Sequence, residues 1–292
     1  MFVILGAAGK VGFSTASTLR AAGLPVRAVL RDTAKAERLR AIGCDVALAD
    51  LKDPAALRLA VAGAQAVQLI LPPPLGAEDA VAEMRLMTQT MAEAIARAGP
   101  DRVLAISDYG AHVPEDIGMP TMYRLFEEHL RSLDMPKVLL RSAEHMEGWA
   151  RALSVAAATG ILPTLHQQPE RTFANVSAVD VGRIAADLLR EPATGTAERI
   201  VHVEGPRRYG AADVADALSA LLGRPITARA VPRADWRQSL ERVVSGSVAT
   251  LLVGIYDAHE RGGLIDVEPG RGEVRRGKTD LALALRPFVP AG

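Results

Sequence analysis

The sequence has few of the residues that commit a protein to a specialised environment. It has one cysteine, Cys44, which excludes an intramolecular disulfide and a thiolate zinc site and favours a reducing compartment. Aromatic residues make up only 4% of the chain, and 34 Lys and Arg residues balance 34 Asp and Glu residues. A net charge of zero provides no general attraction to nucleic acid or to an anionic membrane.

Long apolar runs are also missing from the sequence. No stretch approaches the ~20 apolar residues of a membrane span, and no basic segment precedes the first apolar stretch, so we expect a cytoplasmic protein. The histidines show no metal-ligand spacing and the sequence has no Gly-x-Ser-x-Gly elbow, so we expect no metal and disfavour a hydrolase. A small-molecule substrate, no nucleic acid or membrane partner, and a monomer or homodimer are expected.

The chain begins with a pattern that predicts an anion-binding turn. The apolar residues 1–5 indicate a buried strand, Gly6-Ala7-Ala8-Gly9-Lys10-Val11-Gly12 follows at once, and a helical pattern then runs to Gly23. Unpaired backbone N–H groups and the dipole at a helix N-terminus attract phosphate. Gly6 permits the tight turn, Gly9 lets a pyrophosphate approach the backbone, and Gly12 lets helix and strand pack closely. The predicted dinucleotide site comprises Gly6, Ala8, Gly9, Lys10, Val11 and Gly12.

The end of the second predicted strand indicates which dinucleotide binds. Arg31 stands where an acid would accept hydrogen bonds from the ribose 2′-OH of NAD, whereas an arginine pairs with the 2′-phosphate of NADP. Lys10 can supply a second cation to the same phosphate. We interpret the neighbouring Asp32 as the N-cap of the next helix. The sequence therefore predicts NADP(H) in preference to NAD(H).

The ends of the third and fourth strands are expected to complete the cofactor site. Asp50 and Leu51 close the third strand, where a carboxylate can accept a hydrogen bond from the adenine amine; alternatively, Asp50 is only a turn residue. Leu71, Pro72 and Pro73 end the fourth strand in a stiff segment that lacks N–H donors at its prolines. This segment can form a wall beside the ribose, or it is a plain loop.

Strand and helix patterns alternate through the first half of the chain. Apolar strands separated by helices predict an α/β fold: a Rossmann-type, doubly wound parallel sheet with a small C-terminal α/β lobe. We expect residues 1–150 to form the NAD(P)-binding domain, with 176–205 rejoining it, and residues 151–175 and 206–292 to form a smaller substrate lobe. A helix is expected over 146–158 and a loop over 162–170.

Several of these segments resemble the NmrA-like family of atypical short-chain dehydrogenase/reductases. The matching segments are 6–12, 26–32, 46–51, 106–111, 127–131 and 140–147, with a looser match at 255–258. The resemblance implies an NADP-preferring Rossmann domain with a small substrate lobe. The family includes quinone, azo-dye and triphenylmethane reductases as well as sensors that bind the nucleotide without turnover.

The resemblance also suggests catalytic and substrate-binding residues. Active short-chain dehydrogenases use a Tyr-x-x-x-Lys pair and a serine that orients the substrate, positions matched here by Tyr123 and Ser107. Glu127 replaces the lysine, and a carboxylate adjacent to the tyrosine would raise its pKa rather than lower it. Further residues are expected to line the substrate site, with helix packing as the alternative role for the last two: Tyr109, His112, His145, Met146 and Trp149.

Three functions fit these observations. The first is an NADPH-dependent oxidoreductase that transfers hydride to a small carbonyl, quinone or conjugated apolar acceptor. The second is a non-catalytic NADP(H)-binding redox sensor that acts through a protein partner, which the missing lysine favours. The third is a cofactor-dependent isomerase or epimerase. We prefer the enzyme, because the resemblance extends into residues 140–149, which would line a substrate cleft.

Overall fold

Apolar residues on both faces of the predicted strands require a sheet that is covered on both sides. A computed structural model of the chain describes residues 1–192 and 198–289. Its strands are β1 (Phe2–Leu5), β2 (Val26–Leu30), β3 (Asp45–Leu48), β4 (Ala66–Ile70), β5 (Arg102–Asp108), β6 (Lys137–Ser142), β7 (Glu144–His145), β8 (Ile161–Thr164), β9 (Asn175–Val176), β10 (Glu198–Glu204), β11 (Thr227–Ala230) and β12 (Glu273–Arg276).

The helices fill the intervals between these strands. They are α1 (Lys10–Ala21), α2 (Ala36–Ala41), α3 (Pro54–Val61), α4 (Ala80–Ala98), α5 (Met119–Arg131), α6 (Leu153–Thr159), α7 (Ala178–Arg190), α8 (Ala211–Leu222), α9 (Trp236–Glu241), α10 (Gly246–Arg261) and α11 (Leu281–Leu285). Short 3₁₀ segments lie at Thr33–Lys35, Met146–Ala152, Arg233–Asp235 and Arg286–Phe288. No helix in the described residues is long and apolar enough to cross a membrane.

The main sheet has eight strands in the order β12-β10-β6-β5-β4-β1-β2-β3. Every pairing in it is parallel, from β2–β3 at one end to β10–β12 at the other. The chain runs outward from β1 through β2 to β3 and then returns to β4 on the other side of β1. A reversal of this kind opens a crevice at the carboxyl ends of the strands, where ligands bind in such sheets. The predicted doubly wound α/β fold is confirmed.

Helices cover both faces of the sheet, and α7 packs closely on α1. A Cβ added to Gly182 would lie 2.4 Å from the Val11 carbonyl oxygen, so a larger residue there would force the two helices apart. Ser14 Oγ donates to the Val179 carbonyl oxygen at 2.6 Å. Together with the β6–β10 pairing, this contact makes residues 178–192 and 198–204 part of the sandwich around the sheet.

A second, smaller apolar cluster lies beyond the sheet. It is built around Met146, Leu162, Tyr209, Leu218 and Leu281, with the two-stranded pair β8–β11 beside it. One strand from the region expected to form this lobe belongs instead to the main sheet, because β12 pairs with β10. The proposed domain boundaries stay a prediction.

Two local predictions differ from the structure. The expected loop over 162–170 begins within β8, a strand that pairs with β11 across more than 60 residues and so leaves no local periodicity. The expected helix over 146–158 is 3₁₀ as far as Ala152 before α6 begins. In that segment the Glu147 carboxylate accepts hydrogen bonds from Ser177 Oγ (2.8 Å) and from the Ala178 N–H at the start of α7. Glu147 thereby ties this segment to a distant helix terminus.

Candidate functional site

The glycine-rich turn has the geometry that phosphate binding requires. Gly6 has φ +66°, and an added Cβ there would meet the Ile70 side chain at 2.5 Å. A Cβ on Gly12 would lie 2.4 Å from the Gly6 carbonyl oxygen, so close helix packing excludes any side chain. A Cβ on Gly9 would meet only that same oxygen, at 3.4 Å. Gly9 is the N-cap of α1 and makes no side-chain cap bond, which leaves N–H groups of the first helical turn available to an anion.

A cleft of 430 Å³ lies at the carboxyl ends of β1, β2, β3 and β4. It brings together predicted residues from four separate segments: Gly6, Ala8, Gly9, Arg31, Asp50, Leu51, Pro72 and Pro73. The remainder of the lining includes Lys35, Ile70 and Met87. The cleft therefore extends from the glycine turn towards the end of β3 on one side and the end of β4 on the other.

Four residues predicted for the cofactor site do not line this cleft. Lys10 points into a separate groove, with its Nζ 5.0 Å from the centre of the Phe288 ring, so it does not join Arg31 as expected. The Val11 side chain is buried, and Gly12 serves the contact between helix and strand. The Leu71 side chain is fully buried, while its carbonyl oxygen accepts a hydrogen bond from Tyr123.

The cleft lining carries charges of both signs: the cations Arg31, Lys35 and Lys52 and the acids Asp32, Asp50 and Glu83. Arg31 is exposed and lines the cleft with Lys35. Asp32 Oδ1 accepts from the Ala34 N–H at 3.0 Å, which confirms that Asp32 is an N-cap. Asp50 Oδ1 accepts from the Lys52 N–H at 2.9 Å, as a turn aspartate does, although the residue still lines the cleft. The residues present fit a dinucleotide with an extra phosphate at the ribose.

The position of the missing lysine is occupied by a buried ion pair. Glu127 is fully buried and accepts two hydrogen bonds from Arg141, at 2.8 and 2.7 Å, and one from Ser107 Oγ at 2.7 Å. Arg131 and Glu268 extend the network to the surface. The hydroxyl of Ser107, predicted to orient the substrate, is thus committed to Glu127.

Tyr123 lies one turn before Glu127 on α5, and its hydroxyl group is bonded to the backbone. Its hydroxyl donates to the Leu71 carbonyl oxygen at 3.0 Å, at the end of β4. The pKa of Tyr123 is raised by burial and further by the nearby Asp108 carboxyl group. The expected direction of the shift is therefore correct, but the expected cause is wrong, because the Glu127 charge is compensated by Arg141.

Two carboxyl groups that the sequence analysis passed over lie at the carboxyl ends of neighbouring strands. Burial raises the pKa of Asp108, at the end of β5, to about 8, and Glu144 and Glu127 contribute repulsion. Burial likewise raises the pKa of Glu144, in β7, to about 7, against the effect of Arg151. Their position after apolar strands was the available signal, since such positions face the ligand crevice in this fold.

A cluster of aromatic and histidine rings adjoins Glu144. The Glu144 carboxylate lies 3.9 Å from His166 Nε2, and the His166 ring stacks on Phe173 with centroids 4.1 Å apart. Tyr256 and His259 contact the same imidazole edge-on. Burial lowers the pKa of His166 to about 3 and that of His259 to about 4, so both rings are neutral at physiological pH. No local spacing in the sequence connects these residues.

The five predicted substrate residues have different surroundings. Tyr109 is in the core, only 1% exposed and edge-on to His202, so it does not face a pocket as expected. His112 is half-buried, and burial and Arg141 lower its pKa. His145 Nε2 lies 3.1 Å from Ser142 Oγ at the β6–β7 junction. Met146 is fully buried in the small apolar cluster, and Trp149 packs against that cluster and lies near His166.

Comparison with known proteins identifies the family. Residues 6–192, well over half of the chain, match a family profile described as NAD(P)H-binding. The chain belongs to this NAD(P)H-binding family. The predicted NAD(P)H cofactor is confirmed, and the matched residues contain the whole cleft lining.

Two curated relatives support this placement. The chain is 30% identical over 232 residues to (4-alkanoyl-5-oxo-2,5-dihydrofuran-3-yl)methyl phosphate reductase from Streptomyces griseus, covering 77% of this chain and 75% of the relative. It is 24% identical over 242 residues to the NAD(P)H azoreductase of Xenophilus azovorans, covering 82% and 80% of the two chains. Both relatives are reductases, as the sequence analysis expects of an enzyme in this family.

Solved structures share the fold over nearly the entire chain. Citrobacter sp. triphenylmethane reductase complexed with NADP(H) superimposes with a TM-score of 0.80 at 19% identity, covering 99% of this chain and 100% of the other. The NADPH-dependent quinone oxidoreductase of Escherichia coli gives a TM-score of 0.77 at 22% identity, covering 99% of both chains. At these identities the similarity concerns the fold.

Proposed function

We propose that this protein is an NADPH-dependent reductase that transfers hydride to a small, apolar, conjugated acceptor such as a quinone, an azo compound or an unsaturated carbonyl compound. The observation that carries this proposal is the cleft, which has an open helix N-terminus at its centre and Arg31 at its adenosine end. When bound, NADPH supplies the hydride. Gly6, Gly9 and the start of α1 would hold its pyrophosphate, and Arg31 its 2′-phosphate.

The acceptor class is supported by the aromatic rings around His166. Trp149, Phe173 and Tyr256 provide aromatic surface on which a flat molecule can stack, and the two histidines among them are kept neutral by burial. The names of the relatives specify conjugated acceptors, an azo compound and an unsaturated lactone that carries a phosphate group. These rings favour a flat, conjugated acceptor.

The experiment is a turnover assay with a panel of quinones, azo dyes, enones and simple ketones. NADPH and NADH oxidation are followed by absorbance for the parent protein and for Gly9→Val, in which the branched side chain fills the place of the pyrophosphate. We expect NADPH oxidation with at least one conjugated acceptor, loss of that oxidation in Gly9→Val, and slower oxidation of NADH. Turnover restricted to simple ketones would contradict the acceptor class.

A nucleotide sensor is the second candidate, and one observation favours it. Ser107 and Glu127, at the positions of the usual serine and lysine, are locked together with Arg141 and are not available to relay a proton. A parent protein that binds NADPH tightly but does not oxidise it with any acceptor of the panel would support the sensor. A cytoplasmic location and a monomeric or homodimeric state stay predictions for either function.

A further inference from the structure

Ser107 and Tyr123, at the catalytic positions of the superfamily, both use their hydroxyl protons in internal hydrogen bonds and are not available to protonate the acceptor. Ser107 Oγ donates to Glu127 at 2.7 Å. The hydroxyl proton of Tyr123 is directed to the Leu71 carbonyl oxygen, and burial raises the pKa of that phenol further from neutrality. A reduction of a conjugated acceptor nevertheless consumes one proton for each hydride. The proton therefore comes from another acid near the carboxyl ends of the central strands or from solvent.

The strand order identifies where such an acid has to lie. The cleft ends at Ile70 and the proline segment after β4, and β5 is the next strand along the sheet. Asp108 is the last residue of β5, at the same carboxyl edge, and it acts electrostatically on Tyr123, whose hydroxyl contacts the end of β4. The Asp108 side chain is thus placed beside the end of the cofactor cleft that is opposite to Arg31.

A second carboxyl group lies on the same face of the sheet edge. Asp108 is in register with Ser142 of β6, and Glu144 follows Ser142 by two residues. Because side chains alternate along extended backbone, Asp108, Ser142 and Glu144 project to the same side. Both acids are half-buried, and the Glu144 charge raises the energy of placing a negative charge on Asp108.

No cation neutralises this pair at hydrogen-bonding distance within the described residues. The charged groups that act on Asp108 are acidic, Glu144 and more weakly Glu127, while a hydrogen bond from the Tyr109 N–H partly offsets their effect on its pKa. Glu144 faces Arg151, which favours its ionised form, and the neutral imidazole of His166, 3.9 Å away. The His166 Nε2 atom is itself buried and has no hydrogen-bond partner in the part of the chain that the structure describes, and it points at the carboxyl group.

We propose that Asp108 is the acid that supplies the proton during reduction and that Glu144 is a positioning residue that holds the second charge of a carboxyl pair. This inference rests on the proposed reductase function. The acceptor gains two electrons and one hydrogen as hydride from NADPH, and its π bond opens. The electron pair left on the acceptor takes the proton from the Asp108 O–H bond, which leaves a carboxylate and NADP⁺. Asp108 then regains a proton from solvent.

The first test compares turnover of the parent, Asp108→Asn and Glu144→Gln with an acceptor found in the panel. Asp108→Asn should lower kcat by ~10²–10⁴-fold with unchanged NADPH affinity, because a general acid contributes about that factor. The parent kcat should decline as pH rises past about 8, the pKa to which burial raises Asp108. Glu144→Gln should keep turnover at lower pH and shift this decline to lower pH, because removal of the adjacent negative charge makes Asp108 easier to ionise.

The second test needs no turnover. The pKa of Asp108 is raised on folding, so its contribution to stability is complete below the unfolded-state pKa, ~3.9, and is lost as pH rises towards the folded-state pKa. Asp108→Asn has no carboxyl group to ionise and avoids this loss of stability. The Tm of Asp108→Asn relative to that of the parent should therefore increase steadily from pH 5 to pH 8. Asp216→Asn, at an exposed position on α8, is the matched control and should show no such trend.

The outcomes separate the two proposals. A parent that oxidises NADPH while Asp108→Asn retains full kcat and the same pH profile overturns the proton donor alone. A parent protein that does not oxidise NADPH with any acceptor of the panel overturns the reductase function and the proton donor with it. A flat difference in Tm across the pH range contradicts a protonated Asp108 in the folded protein.

Discussion

Replacement of Glu127 by glutamine should destabilise the protein strongly, although the change removes only one charge. Glu127 is fully buried and holds Arg141, itself 1% exposed, through two hydrogen bonds. Removal of one member of a buried ion pair costs about 3–5 kcal/mol, because the remaining charge loses its compensation. Arg141 keeps a bond to Glu268 at 2.6 Å, so we expect the lower end of that range.

The size of this effect converts to a measurable melting shift. With an unfolding entropy of ~2.1 cal/mol/K per residue over 292 residues, a loss of ~3 kcal/mol lowers Tm by about 5 °C. Calorimetry or thermal circular dichroism measures it. Glu241→Gln is the matched control: its pair with Arg237 has the i,i+4 spacing of the Glu127–Arg131 pair but is largely exposed, and such pairs are worth at most ~1 kcal/mol.

A Tm for Glu127→Gln within about 1 °C of the control would refute this reasoning, because ~3 kcal/mol in a chain of this size cannot hide in so small a shift. The burial of Glu127 also argues against the substitution Glu127→Lys. Glu127→Lys would restore the Tyr-x-x-x-Lys pattern of the superfamily, but it would place a second cation against Arg141 in the interior. We therefore expect Glu127→Lys to fold poorly instead of gaining activity.

Three further outcomes follow from the cofactor cleft and α5. Gly9→Val should lose NADPH binding but keep its Tm, whereas Gly12→Val should lose several degrees, because a Cβ on Gly12 would overlap the Gly6 carbonyl oxygen at 2.4 Å and a Cβ on Gly9 would lie 3.4 Å from it. Equal melting would contradict the two roles. Arg31→Ala should weaken NADPH binding by ~1.5–3 kcal/mol and leave NADH nearly unchanged in a titration; an equal loss for both would show that Arg31 does not meet the 2′-phosphate. Tyr123→Phe should change kcat by less than about 10-fold and leave its pH profile unaltered, since the phenol is bonded to Leu71; a larger fall would return the proton donor to Tyr123.

Much of the cofactor site was open to prediction because its parts are local or repeat a rule of the fold. The turn from Gly6 to Gly12 is one continuous segment, and Asp32 caps its helix two residues away. Arg31, Asp50 and Pro72 stand at strand ends, which a doubly wound sheet gathers at one edge whatever the details of packing. Alternation of strand and helix therefore predicts both the fold and most of the cleft lining.

The structure alone decided the directions of individual side chains and the contacts between distant segments. Lys10 lies within the glycine turn but extends towards Phe288, 278 positions later in a chain of 292. Strand β12 has too few apolar residues for its sequence to predict a strand of the main sheet. The pairing of Glu127 with Arg141 depends on how α5 lies against β6.

The sequence by itself determined the α/β fold, the phosphate cradle and the nature of the cofactor, because each depends on short-range backbone conformation or on the hydrophobic period. Tertiary structure decided which polar groups are neutralised and which are left to react. Glu127, Asp108 and Glu144 are all acids near the same strand ends, but among these three only Glu127 is hydrogen-bonded to an arginine. Burial and the charges brought close by packing set the pKa of a carboxyl group, and neither quantity is encoded in its immediate neighbours along the chain.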